Sequence, residues 1–165
     1  ASNRNARLIK PVLDFFYAQN LPVYSTSRIF SGKLDPINDA DLERIRFPDM
    51  PWMIATNVEL ESLRTFLQGA WPYRETSYNR LYGIGMDVFS ILPRLQQMRK
   101  NPQLYYQGLS GNLSIDENGT INRQMLWARF SKGTPTLLDQ QLTYQGRFSE
   151  KRFETYPAIA PAAGQ

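Results

Sequence analysis

The chain has 165 residues, 42% of them hydrophobic and 21% charged, with 10 Gly and 11 Pro scattered along it; this is a globular composition sized for one domain, not a disordered or low-complexity one. Nineteen Lys and Arg against fifteen Asp and Glu leave a net charge of only +4, too small and too dispersed to point to a nucleic-acid partner. Zero Cys and zero His remove disulfides, thiol nucleophiles, imidazole bases and every Cys/His zinc site, so no cofactor or metal is expected.

In chain order, Leu8, Val12, Phe15 and Phe16, with Ile9 and Leu13 beside them, form an apolar stripe at helical spacing. They predict a helix from about Asn5 to Gln19, started or kinked by Pro11. Leu21 to Ser25 then reads as a strand, giving half of a βαβ unit whose other strands lie mostly outside this sequence. Thr26 to Trp52 is turn-rich and reads as a crossover. A helix is expected from near Asn57 to Gly69, and a longer one from Thr76-Ser77 to Lys100, N-capped at one of those two residues and kinked at Pro93. Past Gln107 the period changes to two. Asn118-Gly119 between alternating stretches predicts a hairpin from Gly111 to Arg123. Gln124 to Phe130 continues as a strand with Met125, Trp127 and Arg129 on one side, and Lys132-Gly133 supplies a turn. The stretch Tyr156–Gln165 has no period and reads as loose.

Most chemical motifs dissolve on inspection. Gly83-Ile-Gly85 lacks the third glycine and preceding strand of a dinucleotide site, so close helix packing explains the pair better. Ser77-Tyr78-Asn79 and Lys132-Gly133-Thr134 echo motifs of penicillin-recognising serine enzymes, but no Ser is followed three residues later by Lys to form an acyl-enzyme. The acidic groups Asp39/Asp41/Glu43, Glu59/Glu61 and Asp116/Glu117 carry no calcium-loop or glycosidase pattern and read as solvated faces. Trp52, Trp71, Trp127 and the tyrosines read as core or interface aromatics.

Five ordered blocks carry a more specific signal: Ala6-Arg-Leu-Ile-Lys-Pro-Val-Leu-Asp-Phe15, Leu21-Pro-Val-Tyr-Ser-Thr-Ser-Arg28, Arg46-Phe-Pro-Asp-Met-Pro-Trp52, Arg80-Leu-Tyr-Gly-Ile-Gly-Met-Asp-Val-Phe89, and Gly108-Leu-Ser-Gly-Asn-Leu-Ser-Ile115 with Trp127-Ala-Arg-Phe130. Together they resemble the C-terminal domain of the LppC family of penicillin-binding protein activators. The resemblance implies an α/β fold, part of a two-lobed type 1 periplasmic-binding-protein-like architecture of parallel sheets flanked by helices, with a C-terminal β-hairpin. On this mapping residues 1–139 are a portion of that domain: about 1–27 and 104–139 in the second lobe, and about 28–103 the crossover and first lobe. Residues 140–165 are an unassigned tail, partly flexible.

The resemblance further implies a non-catalytic lipoprotein on the periplasmic side of the Gram-negative outer membrane. Its expected partner is a class A penicillin-binding protein, the peptidoglycan synthase it activates, and it would meet the membrane only through a lipid anchor outside this sequence. A second reading is a periplasmic receptor closing on a small ligand in its cleft; a third and weaker one is an enzyme acting on peptidoglycan. Crossing segments line such clefts, making Ser25, Thr26, Ser27, Asp49, Trp52 and Tyr82 the expected cleft-lining residues.

Overall fold

Ser2 starts the first helix by accepting the Asn5 N–H on its hydroxyl at 3.4 Å, and α1 runs Asn3–Phe15. In the computed structural model, which describes residues 2–17, 20–138 and 147–150, this helix is shorter than its apolar stripe predicts. Tyr17 adopts a left-handed φ of 59°, which ends the helical path. Pro11 sits inside α1 rather than at its start, and Ala18 and Gln19 lie outside the described residues.

The strand expected at Leu21 to Ser25 is reduced to one parallel bridge between Tyr24 and Arg46. Arg46 donates to the Val23 carbonyl and accepts from the Ser25 N–H, both at 2.9 Å. Pro22 has no donor to extend the ladder, and no second described strand flanks the segment to hold it extended. The crossover that follows is ordered by short 3-10 turns at Ser27–Ile29 and Asn38–Leu42. It also contains a strand that its turn residues concealed, β1 (Arg46–Asp49), and one helical turn, α2 (Pro51–Ile54).

The helix expected from near Asn57 is α3 (Val58–Ala70), and Asn57 caps it through the Leu60 N–H at 3.1 Å. The next helix begins later than predicted: a 3-10 turn covers Thr76–Tyr78, and α4 runs Asn79–Ile91 with no side-chain cap. Pro93 does more than kink the helix expected to run on to Lys100: it interrupts it, converting Leu92–Arg94 to 3-10 geometry before α5 (Leu95–Lys100). Then come β2 (Leu104–Gln107), β3 (Asn112–Ile115), β4 (Ile121–Gln124), β5 (Leu126–Ser131), β6 (Thr134–Leu137) and β7 (Phe148–Glu150). The predicted hairpin is β3–β4, closing at Ile115 opposite Ile121. Asp116 organises its turn by accepting the Asn118 and Thr120 N–H groups at 3.0 and 2.8 Å.

The named strands form two antiparallel sheets, ordered β1-β5-β6 and β4-β3-β2-β7, in place of the parallel sheets that the resemblance implies; connections as short as those of β3–β4 and β5–β6 join only antiparallel strands. The Tyr24 bridge adds the one parallel pairing among the described residues. Because the Arg46 N–H and C=O both face Tyr24, Pro48, two residues on, points its missing donor to that same outer edge, where it interrupts no pairing with β5. On β5 the alternation is clean: Leu126, Ala128 and Phe130 are buried while Trp127 faces outward.

Two cores result. The larger gathers Ile29, Phe30, Phe47, Trp52, Leu60, Leu109 and Phe130 around the first sheet. It joins residues of both stretches that the resemblance assigns to different lobes. The smaller packs Ile91 and Met98 on Leu104, Tyr106, Leu113 and Ile115 of the second sheet. No described helix is long and apolar enough to cross a membrane.

Candidate functional site

The Ser27–Phe30 stretch and the end of β1 converge on Arg80. Its guanidinium meets the Asp49 carboxylate with two bonds, Nε to Oδ1 at 3.1 Å and Nη2 to Oδ2 at 2.6 Å. Nη2 also donates to the Ser27 and Phe30 carbonyls at 2.9 and 2.8 Å. One side chain on α4 therefore ties the 3-10 turn at Ser27–Ile29 to the end of β1. Asp49 is fully buried, and its Oδ1 additionally accepts the Met50 N–H at 2.9 Å. Its lone pairs are spent on holding the fold.

The other expected cleft residues scatter around this clamp. Trp52 is buried; Arg64 lies over its ring at 5.3 Å and donates to its carbonyl at 2.6 Å. Tyr82 is half-buried and packs its ring on Trp71 at 5.2 Å. Ser25 and Thr26 lie together on the wall of a groove of about 320 Å³ between α1 and the Val23–Thr26 segment, with Ala6, Ile9, Lys10 and Leu13 opposite. Ser25 Oγ is buried there with no hydrogen-bond partner among the described residues. The structure thus brings Ser27 and Asp49 together through Arg80, places Ser25 and Thr26 in one groove, and keeps Trp52 and Tyr82 apart from it.

A second polar centre joins α4 to the loop after β2. Asp87 accepts the Leu109 N–H at 2.8 Å, and the Ser110 N–H and hydroxyl at 2.6 Å each. Burial pushes its carboxyl above the usual aspartate range, and these hydrogen bonds to the charged form offset part of that shift. The loop approaches so closely that a Cβ on Gly108 would sit 2.5 Å from the Asp87 carboxylate.

The acidic group at Asp39 corrects the expectation of a solvated face. Asp39 is 1% exposed and receives Arg7 Nη2 at 2.8 Å, Arg7 Nε at 3.0 Å and Asn3 Nδ2 at 3.0 Å. The Asp39 hydrogen bond raises the Arg7 pKa, and Asn38 together with Arg7 lowers that of Asp35. Of the two glycines in α4, Gly83 does allow close packing, since a Cβ there would touch Met50 and Trp52 at 3.4 Å, whereas Gly85 faces open space. Among the described residues no three His, Cys, Asp or Glu side chains are grouped to hold a metal ion.

The architecture is that of a binding-protein-like domain whose polar interior serves structure. The family model described as "LppC putative lipoprotein" matches residues 1–133. The chain belongs to the LppC family. Penicillin-binding protein activator LpoA of Pectobacterium parmentieri is 30% identical over 130 residues, covering 76% of this chain and 18% of that protein. Its counterpart in Photobacterium profundum is 31% identical over 134 residues, 79% of this chain and 21% of that one. The chain thus spans about a fifth of the length of these curated relatives.

Among solved structures, the C-domain of LpoA (YraM) from Haemophilus influenzae, described as a regulator of PBP1A, superposes with a TM-score of 0.67 at 25% identity over 84% of this chain and 43% of that one. Full-length LpoA from the same organism gives 0.68 at 26% identity, covering 25% of its length. A "putative branched-chain amino acid ABC transporter" structure from Chromobacterium violaceum shares the fold at a TM-score of 0.55 and 22% identity.

Arg80 and Asp87 were missed as key positions by sequence reasoning, yet each leaves a signal. A cation in the first turn of a helix opposes the dipole and calls for a specific anion. A carboxylate within the apolar run Gly83–Val88 calls for buried donors.

Proposed function

We propose that this chain is part of a regulatory domain of an outer-membrane lipoprotein that faces the periplasm, binds a class A penicillin-binding protein and raises its peptidoglycan synthesis without performing chemistry itself. The observation that carries this reading is the superposition on the Haemophilus influenzae C-domain, described as a regulator of PBP1A, over 84% of the chain. The non-catalytic part is supported by the sequence, which has no His, Cys or Ser-x-x-Lys pair, and by the use of Asp39, Asp49 and Asp87 as anchors of backbone and guanidinium groups.

The lobe assignment belongs to the same proposal. The first crossing passes through Ser25, Thr26 and Ser27 at the carboxyl end of the Tyr24 segment, where open α/β folds place their clefts. The Arg80 clamp fixes that crossing against β1.

The test is binding of the intact domain to a purified class A synthase, paired with assays of glycan-strand polymerisation and peptide crosslinking. Binding with an increase in either rate is expected. An exposed docking contact of this kind weakens as salt screens its charge pairs. Absence of binding and of any rate change, with tight binding of a small peptide or sugar instead, would hand the case to the receptor reading.

A further inference from the structure

The first sheet has a second face, turned away from the larger core. Pairing in register sets Arg46 of β1 directly across from Arg129 of β5, and Pro48 across from Trp127. Tyr24 bridges to Arg46 and Thr136 pairs with Arg129, so one row across the sheet reads Tyr24, Arg46, Arg129, Thr136. This face is the outward one, because Phe47, Ala128 and Phe130, which alternate with these residues, are buried. Like charges directly opposite on neighbouring strands repel. Among the described residues neither arginine makes an ion pair: the Arg46 guanidinium donates to the Tyr24 hydroxyl at 3.3 Å, and Arg129 Nε is withdrawn from solvent without an acceptor. Beside them the rings of Tyr24 and Trp127 meet edge to face at 6.0 Å and are 55% and 44% exposed. Exposed Leu138, bonded through its N–H to the Trp127 carbonyl, extends the apolar part of the face.

Exposed apolar stripes, such as Leu8, Phe15 and Phe16 on α1, ask only for cover; this face also carries uncompensated charge, which specifies what kind of cover. We propose that the Tyr24, Arg46, Trp127 and Arg129 face is the surface through which the domain meets the synthase, and that it receives an acidic segment whose carboxylates bridge the two guanidiniums while neighbouring apolar side chains cover the two rings. This names the contact for the regulatory reading and rests on that reading. The charge argument is local: directly opposed residues have Cβ atoms about 5 Å apart, so one carboxylate can reach both arginines, relieve their repulsion and give Nε its missing acceptor. Guanidinium forks suit carboxylates in this way, and the pairing fixes orientation as well as sign. The shape argues for a protein patch over a small molecule, which needs a concave site to enclose it. Neither the groove beside α1 nor the cavity of about 390 Å³ lined by Leu63, Gly85, Asp87 and Tyr106 has Arg46, Trp127 or Arg129 on its wall. The composition agrees, since Trp, Tyr and Arg are the side chains that carry most of the binding energy at protein interfaces.

The test measures binding of the natural polypeptide that carries this chain to a purified class A synthase, with the parent beside its variants. The double variant Arg46→Gln with Arg129→Gln, and separately Trp127→Ala, are expected to weaken binding roughly tenfold or more. The double Gln variant also flattens the fall of affinity with added salt, because the charges that salt screens are gone. The double Lys variant, which keeps both charges and loses both forks, recovers part of the affinity, and urea midpoints verify that each variant is folded. Arg99→Gln with Lys100→Gln removes the same net charge from the end of α5 and leaves affinity unchanged, which separates a local contact from general attraction. If the parent binds and the double Gln variant binds equally well, this surface is wrong and the regulatory reading stands. If the parent does not bind, both fall. Unchanged synthase binding with lost retention on isolated peptidoglycan overturns the proposal too, and makes a carboxylate-bearing glycan the occupant of this face.

Discussion

Arg80 holds Asp49 in a two-pronged pair that is inaccessible on the carboxylate side, with the aspartate side chain 1% and the arginine 30% exposed. The planar fork lets one guanidinium serve the carboxylate and two carbonyls at once. Replacing it by Ala leaves Asp49 charged, buried and bonded only to the Met50 N–H. Arg80→Ala is therefore expected to destabilise the protein by about 3–5 kcal/mol. Arg80→Lys should recover only part of that loss, because a point charge cannot match the fork. Urea-unfolding midpoints of the two variants check this; equal stability of the Lys variant and the parent chain would show that charge alone suffices.

The loop after β2 depends on Asp87. In Asp87→Ala, the Leu109 and Ser110 N–H groups lose their acceptor in a buried site, at a cost of about 1–3 kcal/mol for each group left unpaired. Gly108→Ala is expected to destabilise through the same centre, since the carboxylate that a new Cβ meets is pinned by three hydrogen bonds and cannot swing aside. If the two substitutions act through one contact, the double variant is less destabilised than the sum of the singles, which a double-mutant cycle reads directly.

How far the sequence discloses this molecule depends on whether a signal is local. The Asn57 cap, the Pro93 break, the β3–β4 hairpin and the Lys132-Gly133 turn, with both residues at positive φ, each follow from residues within a few positions of one another. β1 was hidden because Phe47-Pro48-Asp49 reads as a turn until its partner β5, some eighty residues on, is known. The stripe of α1 was legible as helical, but its exposure was not, because amphipathicity marks which face wants cover and not whether cover is present. At the candidate site, Asp49 was visible as an acidic residue in a turn-rich stretch expected to be a crossover. Its consumption by Arg80 is a contact between residues 31 positions apart.

The family's association with penicillin-binding proteins does not make the chain a penicillin target. Ser77 lies in the 3-10 turn ahead of α4, and Lys132 lies in the β5–β6 turn with its N–H held by Glu43 Oε2 at 2.7 Å. No Ser-x-x-Lys pair supplies a nucleophile and its base. A fluorescent penicillin is expected to leave the purified chain unlabelled on a denaturing gel. A band that unlabelled drug competes away would contradict this.

Asp87 should also shape the response of stability to pH, with a sign opposite to the usual aspartate. Burial raises its folded-state pKa above the unfolded value, against the pull of Ser110, Leu109 and the more distant charge of Arg123. Between the two pKa values the folded form binds more protons than the unfolded form, so this group's contribution falls as pH rises. It is fully present below about pH 4, the ordinary aspartate range, and is lost as pH climbs through the folded pKa. Asp35 acts in the other direction: hydrogen bonds from Asn38 and Arg7 lower its pKa, so its contribution is present above the unfolded value and lost as the solution is acidified through the folded one. The comparison that isolates Asp87 is the stability of the parent chain minus that of Asp87→Asn, followed from acid to neutral pH. The difference should decline with rising pH. A difference that instead grows toward neutrality would mean that the three donors outweigh burial and hold the carboxyl below its ordinary range.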